Sequence, residues 1–260
     1  MAATTLESAL SATAAVLCFL LGYPEQALTR NAEGIAHARA LGQPQVVAHA
    51  HNNGLLLLQL AGEFEELDRR TTLLAGLADE HGLAIYYPEA RILAAWRAVH
   101  QEGDRRAAEV MRNFLDRRAS MGTMSMHAYF LMLLADAWLR LGRPDEAQLA
   151  LEEGLARAET TGAHFCTAEL HRLRARACLA RDVRDVLAAE AALDAALAAA
   201  RRQSSRTFEL RAVCDLARLW ADRGERRKAH NLLAPVYGWF TEGFNTADLK
   251  DARRLLGELA

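Results

Sequence analysis

Apolar residues recur along the chain with helical spacing, in segments of about 15 to 18 residues that short polar turns separate. Ala147, Leu151 and Leu155 lie one turn apart in one segment, and Ala189, Leu193 and Leu197 do the same in another. In the segments between them, small or apolar residues stand at equivalent places: Ala15, Leu55, Trp96, Ala135, Ala175 and Ala217. This pattern predicts pairs of amphipathic helices and no strands.

Glycine marks the turns at a fixed interval. Gly42, Gly82, Gly122 and Gly162 stand 40 residues apart, and Gly22, Gly62, Gly103, Gly142 and Gly224 run between them. Glycine can take the left-handed conformation that ends a helix, and Pro24 and Pro144 suit the first turn of the next one. Two turns per 40 residues indicate repeated helical hairpins, which stack into a solenoid. The fifth hairpin differs, because Asp182 replaces its glycine and two further residues lengthen the turn.

The spacing and the residues together resemble the tetratricopeptide repeat, in a variant longer than that family's usual length of about 34 residues. The resemblance predicts an all-α, right-handed solenoid of six hairpins over residues 1–244. Residues 245–260 then form a capping helix, with Asn245 at its N-cap and one apolar stripe. We expect Pro235 to kink or end the helix before it. The aromatic segment Tyr237, Trp239, Phe240 and Phe244 either packs against the capping helix, which we favour, or serves as a binding anchor.

At the amino terminus, the apolar run from Ala9 to Leu21 has no preceding basic residue and is too short to span a bilayer. We interpret it as a packed first helix, which makes the protein cytoplasmic. This end has no polar cap. Either Met1 opens a fragment of a longer protein, or this end docks on something.

A more specific resemblance rests on three stretches near the carboxyl terminus, Leu216–Gly224, Leu232–Phe244 and Asp248–Ala252. They are similar to the end of a bacterial multidomain family in which a class III adenylate or guanylate cyclase, or a protein kinase, precedes a P-loop signalling ATPase and terminal tetratricopeptide repeats. The chain itself has no G-x-x-x-x-G-K-[ST] motif. The resemblance therefore implies a regulatory module whose catalytic domains lie upstream.

In tetratricopeptide proteins the first helix of each hairpin lines the concave face, and the resemblance assigns that role here by position. The predicted partner-binding residues are His49, Asn52, Leu56 and Gln59 in the second hairpin; Arg97 and His100 in the third; Tyr129, Met132 and Asp136 in the fourth; Glu169, Arg172 and Arg176 in the fifth; and Arg211 and Arg218 in the sixth. No catalytic, cofactor-binding or metal-binding residue is predicted.

Charge refines the expected partner. The formal net charge is −2, which gives no reason to expect nucleic acid or a membrane surface. Between Cys166 and Lys228, however, fourteen Lys and Arg residues face nine Asp and Glu residues. Because arginine binds carboxylates bidentately, we expect an acidic peptide or protein surface as partner. The alternative is that these arginines pair with neighbouring carboxylates of the chain itself, or cover apolar surface with their stems.

Other chemistry has weaker support. His164, Cys166 and His171 are the nearest approach to a metal site, but Cys166 would point away from the shared helix face, so ordinary packing is favoured. Four cysteines without paired spacing indicate free thiols. Three alternative functions stay open: an oligomerising scaffold, a small-molecule sensor with a pocket between helices, and, last, an enzyme acting alone.

Overall fold

The computed structural model describes residues 13–83, 85–120, 122 and 126–260, and this part of the chain is all α-helical. Thirteen helices follow one another, the first of them described over residues 13–20. The others are α2 (Pro24–Ala40), α3 (Pro44–Ala61), α4 (Phe64–His81), α5 (Tyr87–Glu102), α6 (Arg105–Ser120), α7 (His127–Arg140), α8 (Pro144–Thr161), α9 (Thr167–Arg181), α10 (Val186–Arg202), α11 (Arg206–Asp222), α12 (Arg226–Tyr237) and α13 (Ala247–Leu259). Residues 9–12 of the predicted first helix, and Met1, lie outside the described residues.

The turns follow the predicted glycine chemistry. Every glycine of the two series has a positive φ, between 65° and 96°. Pro24 and Pro144 each occupy the first residue of a helix, as expected from their fixed φ and missing N–H. Where the series lacks a glycine, between α10 and α11, Ser204 takes the left-handed conformation instead, with φ 54°.

The turn at Asp182 is closed by a side chain. Asp182 is extended, with φ −146°, and its carboxylate accepts the backbone N–H of Arg184 at 2.9 Å. An aspartate can fold the chain back in this way without a left-handed residue. The two additional residues therefore make a longer turn that needs no glycine.

From α2 onward each helix packs against the next one along the chain. From α5 onward each odd-numbered helix also packs against the following odd-numbered helix, up to α13. The odd-numbered helices from α5 to α13 thus form one continuous layer, and the even-numbered helices between them lie on it. Two large apolar clusters fill the space between the layers, one around α3 to α9 and one from α9 to α13.

A third apolar cluster joins the two ends of the chain. Phe19 and Leu20 of α1 pack with residues of α3, α9 and α10 and with Phe208 of α11. The hydroxyl of Thr207 donates to the carbonyl oxygen of Phe19 at 2.5 Å, and Ser205 donates to that of Leu20 at 3.4 Å. The first helix therefore docks on the sixth hairpin of its own chain.

The segment between α12 and α13 completes this closure. A Glu242 carboxylate oxygen accepts the backbone N–H groups of Glu25 and Gln26, at 3.0 and 3.1 Å, in the first turn of α2. The backbone N–H of Gly243 donates to the Glu25 carboxylate at 3.0 Å. Because the first N–H groups of a helix have no partner within it, a carboxylate from the far end of the chain supplies one.

Three details of the carboxyl-terminal region refine the sequence expectations. Thr246, and not Asn245, occupies the N-cap position of α13, since the helix begins at Ala247. The helix α12 includes Pro235 and ends two residues after it. Among the aromatic residues, Phe240 joins the cluster that holds α13, as predicted, whereas Trp239 stacks edge-on against Tyr23 at 5.6 Å. Part of the segment therefore faces the first hairpin.

Candidate functional site

The inner layer of odd-numbered helices contains a recess of about 210 Å³, which we call the polar recess. Seven of the predicted partner-binding residues line it, and they come from five successive hairpins: Gln59, His100, Met132, Asp136, Glu169, Arg172 and Arg211. Trp96, Leu60 and Asp248 are also among its lining residues. Residues far apart in sequence thus converge on one concave surface.

Glu169 is the most buried charge at the polar recess, with 4% of the residue exposed. Its carboxylate binds two guanidinium groups, Arg172 Nε at 2.9 Å and Arg211 Nη1 at 3.3 Å. Burial alone would raise the pKa of Glu169, but the two arginines outweigh it and hold the pKa below its ordinary value. The carboxylate is therefore ionised, and its charge is compensated inside the protein.

The same two arginines bind further groups of the chain. Arg172 Nη1 lies 2.7 Å from an Asp215 oxygen, and Arg211 Nη2 lies 2.8 Å from Asp248. Arg211 Nη2 also donates to the carbonyl oxygen of Leu60 at 2.5 Å, which links the sixth hairpin to the second. Burial would lower the pKa of Arg211, but the carboxylates of Asp248 and Glu169 raise it above the usual value.

Arg218 and Arg176 are less enclosed. Arg218 pairs with Asp215 at 3.1 Å and with Asp251, and 36% of its side chain is exposed. Arg176 makes one long contact, 3.4 Å, to Asp136, and 46% of its side chain is exposed. The alternative in which the arginines pair with carboxylates of their own chain thus describes this structure, with Arg176 the most weakly held.

Asp136 is a second buried charge at the polar recess. It accepts hydrogen bonds from Trp96 Nε1 at 3.1 Å and binds His100 Nε2 at 2.7 Å. Burial would raise the pKa of Asp136, but the bond from His100 and the charge of Arg176 bring it below the ordinary value. The Asp136 carboxylate, the His100 imidazole and the Trp96 indole therefore lie side by side and hold one another in place.

Arg97 and His49 are two of the predicted residues that lie away from the polar recess. Arg97 turns toward α4, where its Nε binds Asp68 at 2.8 Å and its guanidinium lies 4.5 Å from the centre of the Phe64 ring. His49 bonds Asn53 at 3.1 Å and Tyr86 at 3.3 Å, and burial lowers its pKa. Neither residue lines the polar recess.

Tyr129 separates the polar recess from a second space. It is 1% exposed, and its hydroxyl donates to Gln59 Oε1 at 3.0 Å, across 70 residues of sequence. Burial raises the pKa of Tyr129 well above its usual value, so the phenol stays protonated. On the other side of this bond lies a cavity of about 300 Å³, the apolar cavity.

The apolar cavity is enclosed by α1, α3, α5, the start of α7 and the turn before α9. Its lining is mostly aliphatic and aromatic: Val16, Leu17, Leu20, Leu55, Leu56, Leu93, Met126, Tyr129, Phe130 and Phe165. The polar side chains at its wall are Thr13, Asn52, Asn53 and Glu89. Such a combination of apolar surface with a few polar groups is typical of a small-molecule pocket.

The partners of the inner-face residues were not predicted, although the repeat spacing indicates which residues they are. Hydrogen bonds join Trp96 to Asp136, 40 residues apart, and Arg172 to Asp215, 43 residues apart. Arg112 and Glu153, 41 residues apart, form another such pair. One repeat length separates the members of each pair because equivalent residues of adjacent hairpins are neighbours. The apolar cavity has no comparable sequence signal, since it depends on where α1 docks.

The candidate metal ligands do not converge on one site. His164 is exposed, Cys166 is fully buried, and burial raises the pKa of the Cys166 thiol to about 12. Within the described ranges, no three His, Cys, Asp or Glu side chains are placed to hold a metal ion.

None of the helices in the described part of the chain is both long enough and apolar enough to cross a bilayer. The chain matches no protein-family model and no curated protein.

Proposed function

We propose that the chain is a right-handed solenoid of six tetratricopeptide-like hairpins over residues 1–244, closed by a capping helix over residues 245–260. Two observations support this architecture. Hydrogen bonds recur between residues about one repeat apart. The same order of buried and exposed positions recurs at residues 71–80 and 151–160, two repeats apart. Equivalent residues of successive units then have equivalent neighbours, as in a solenoid.

Its function, in this proposal, is to bind a partner protein or peptide as a cytoplasmic regulatory module without catalytic activity of its own. The observation that carries it is the convergence of seven inner-face residues from five hairpins on the polar recess. By resemblance, the module is the carboxyl-terminal sensor of a bacterial cyclase- or kinase-ATPase signalling protein, with the upstream domains as further partners. A partner that prefers one arrangement of that protein would shift it toward that state.

The partner is proposed to be acidic and neither nucleic acid nor membrane. Most arginines of the inner face already bind carboxylates of the chain. An acidic segment therefore has to bind first at the arginine whose ion pair is weakest. Arg176 is that arginine, because the single ion pair that it makes with described residues, to Asp136, is 3.4 Å long and nearly half its side chain is exposed. Arg218 lies at the edge of the same surface and is one-third exposed.

The test is a fluorescence-anisotropy titration of the chain with fluorescein-labelled peptides of about ten residues rich in Asp and Glu. We expect binding that weakens as salt rises. Arg176→Glu should weaken it about tenfold or more, because a like charge then faces the peptide. Arg105→Glu, on an exposed position of α6, changes the net charge equally and should leave affinity within about twofold.

Equal effects of the two substitutions would mean that only net charge matters, which contradicts docking at the inner face. The kinship with signalling proteins has a separate test in the gene. An upstream coding sequence for a phosphate loop and a cyclase or kinase domain supports the fused-regulator proposal, and an in-frame stop codon directly before Met1 contradicts it.

The apolar cavity favours a second candidate function, the sensing of a small molecule. A space of about 300 Å³ with an aliphatic and aromatic lining lies between α1 and the inner helices. Ligand pockets in proteins begin at roughly this size. A ligand there would hold the first helix against the rest of the molecule.

A further inference from the structure

The size and shape of the apolar cavity set the scale of what it can hold. Its volume, about 300 Å³, is about twice that of an engineered apolar cavity of 150 Å³ that binds benzene. Four helices and one turn supply its wall, so a ligand would be surrounded on most sides. A bicyclic aromatic compound, or an alkyl chain of about ten carbons, is of matching size.

One polar atom at this wall has no partner among the described residues. Asn52 lines the apolar cavity, and its Oδ1 is buried without a hydrogen bond to any residue that the structure describes. The neighbouring Asn53 differs, because its amide nitrogen is bonded to His49 at 3.1 Å. A buried carbonyl oxygen without a donor is costly to the protein. A ligand with an N–H or O–H group would remove that cost.

The charge at the wall argues against an anionic ligand. Glu89 is the only charged residue among those described as lining the apolar cavity. Its carboxylate binds Arg118 at 2.7 Å, and the Arg118 guanidinium lies over the Phe130 ring at 4.9 Å. The Arg118 guanidinium is thus already engaged with Glu89 and Phe130, and it is not among the residues described as lining the cavity. A ligand carboxylate would meet a like charge and lose its own hydration.

We infer that the apolar cavity binds a neutral, mainly apolar small molecule that carries one N–H or O–H donor for Asn52 Oδ1, an inference that rests on the small-molecule sensing proposed above. The apolar body fills the space between Leu56, Leu93 and Phe130, and the donor faces α3. Leu17 of α1 lines the cavity and is 53% exposed, which places it at the opening.

The test uses N-phenyl-1-naphthylamine, a neutral fluorescent probe with two ring systems and one N–H group. Titration into the full chain should give a saturable rise in fluorescence with one site per chain. Leu56→Trp and Leu17→Trp each place an indole in the cavity, from α3 and from α1, and should weaken binding at least about tenfold. Leu149→Trp is the matched control, because Leu149 is an exposed residue of α8.

The ligand class is tested by displacing the probe with three compounds that share a ten-carbon chain. The alcohol 1-decanol should displace it at a concentration about three- to tenfold lower than its donor-free ether 1-methoxydecane. Decanoate should be the weakest of the three. In Asn52→Leu the advantage of the alcohol over the ether should disappear. Circular dichroism of each variant checks that the helices are retained.

The outcomes separate the ligand class from the sensing function. No probe binding, or binding that survives both tryptophan substitutions, overturns the cavity as a ligand site. Binding that both substitutions abolish, together with equal displacement by the alcohol and the ether, leaves a small-molecule site but overturns the role of Asn52. Displacement by decanoate as readily as by 1-decanol overturns the preference for a neutral ligand.

Discussion

His51 is a buried histidine of α3, 1% exposed, and within the described part of the chain neither of its ring nitrogens has a hydrogen-bond partner. Burial, and then the charges of Arg70 and Arg39, lower its pKa from 6.5 to about 4. The imidazole is therefore neutral in the folded protein over most of the pH range in which a free histidine becomes charged. This makes His51 the residue through which mild acid acts most directly on stability.

Replacing His51 with leucine should make stability less dependent on pH. Between about pH 6.5 and 4 the unfolded chain gains a proton on this residue and the folded chain does not, so the free energy of unfolding falls by about 3 kcal/mol. His51→Leu abolishes that contribution and also removes two unpaired nitrogens. Urea unfolding of both proteins at a series of pH values measures it.

The control is His164→Leu, at an exposed histidine, which should keep the pH dependence of the original chain. If His51→Leu loses as much stability on acidification as the original chain does, the buried imidazole is not responsible.

Whether the contacts of a single residue could be predicted depends on how far along the chain its partner lies. Glu169 and Arg172, three positions apart on one helix, are a pair that helical geometry alone suggests. Arg211 and the carbonyl oxygen of Leu60 are 151 positions apart, and no local rule connects them. The inner-face positions could thus be read from the repeat, whereas the compensation of their charges needed the three-dimensional arrangement.

Single elements were predictable because glycine and proline act locally at helix ends. Not every glycine serves a turn, however. Gly154 lies within α8, where a Cβ would come within 2.9 Å of Leu170 Cδ2 and 3.6 Å of Leu131 Cβ. Gly76 lies within α4, and nothing stands within 4 Å of a Cβ there. Gly154 therefore permits close packing of helices, and Gly76 has no such role. The surrounding sequence does not tell the two glycines apart.

The two glycines should respond oppositely to alanine. Gly76→Ala should stabilise the protein by roughly 0.5 to 1 kcal/mol, since alanine favours the helix and meets no obstacle. At Gly154→Ala the same gain is outweighed, because fully buried Leu170 has to move in a close-packed core, and we expect a net loss of about 1 kcal/mol. Thermal unfolding of both variants checks the difference, and equal stabilisation by both would contradict the close contact.

At the scale of the whole molecule, the sequence predicted the order of helices but not that the ends of the chain meet. A repeat specifies how each hairpin contacts the next one, and in the proposed solenoid a small rotation between hairpins accumulates over six of them. Small differences in that rotation decide whether the first hairpin reaches the last. Contacts such as Trp239 with Tyr23, and the enclosure of the apolar cavity by α1, depend on this sum. They could not be derived from the spacing of residues alone.

Gly243→Ala should open this closure. Gly243 has φ +75°, and a Cβ there would overlap with Pro24 Cγ at the start of α2. The segment would have to withdraw and take with it the Glu242 carboxylate that caps the N–H groups of Glu25 and Gln26. We expect a loss of about 2 to 4 kcal/mol in the free energy of unfolding, from backbone strain and the lost cap.

Hydrogen exchange locates the effect of Gly243→Ala. Exchange at the amides of Glu25 and Gln26 should accelerate far more than at amides within α6 or α8, because those helices pack against α5, α7 and α9. Gly257→Ala, in α13 with nothing within 4 Å of its Cβ, is the matched control and should leave that exchange unchanged. If Gly243→Ala accelerates exchange evenly along the chain, the contact between the ends is not an independent element of the fold; if it changes neither exchange nor stability, the two ends do not meet in solution.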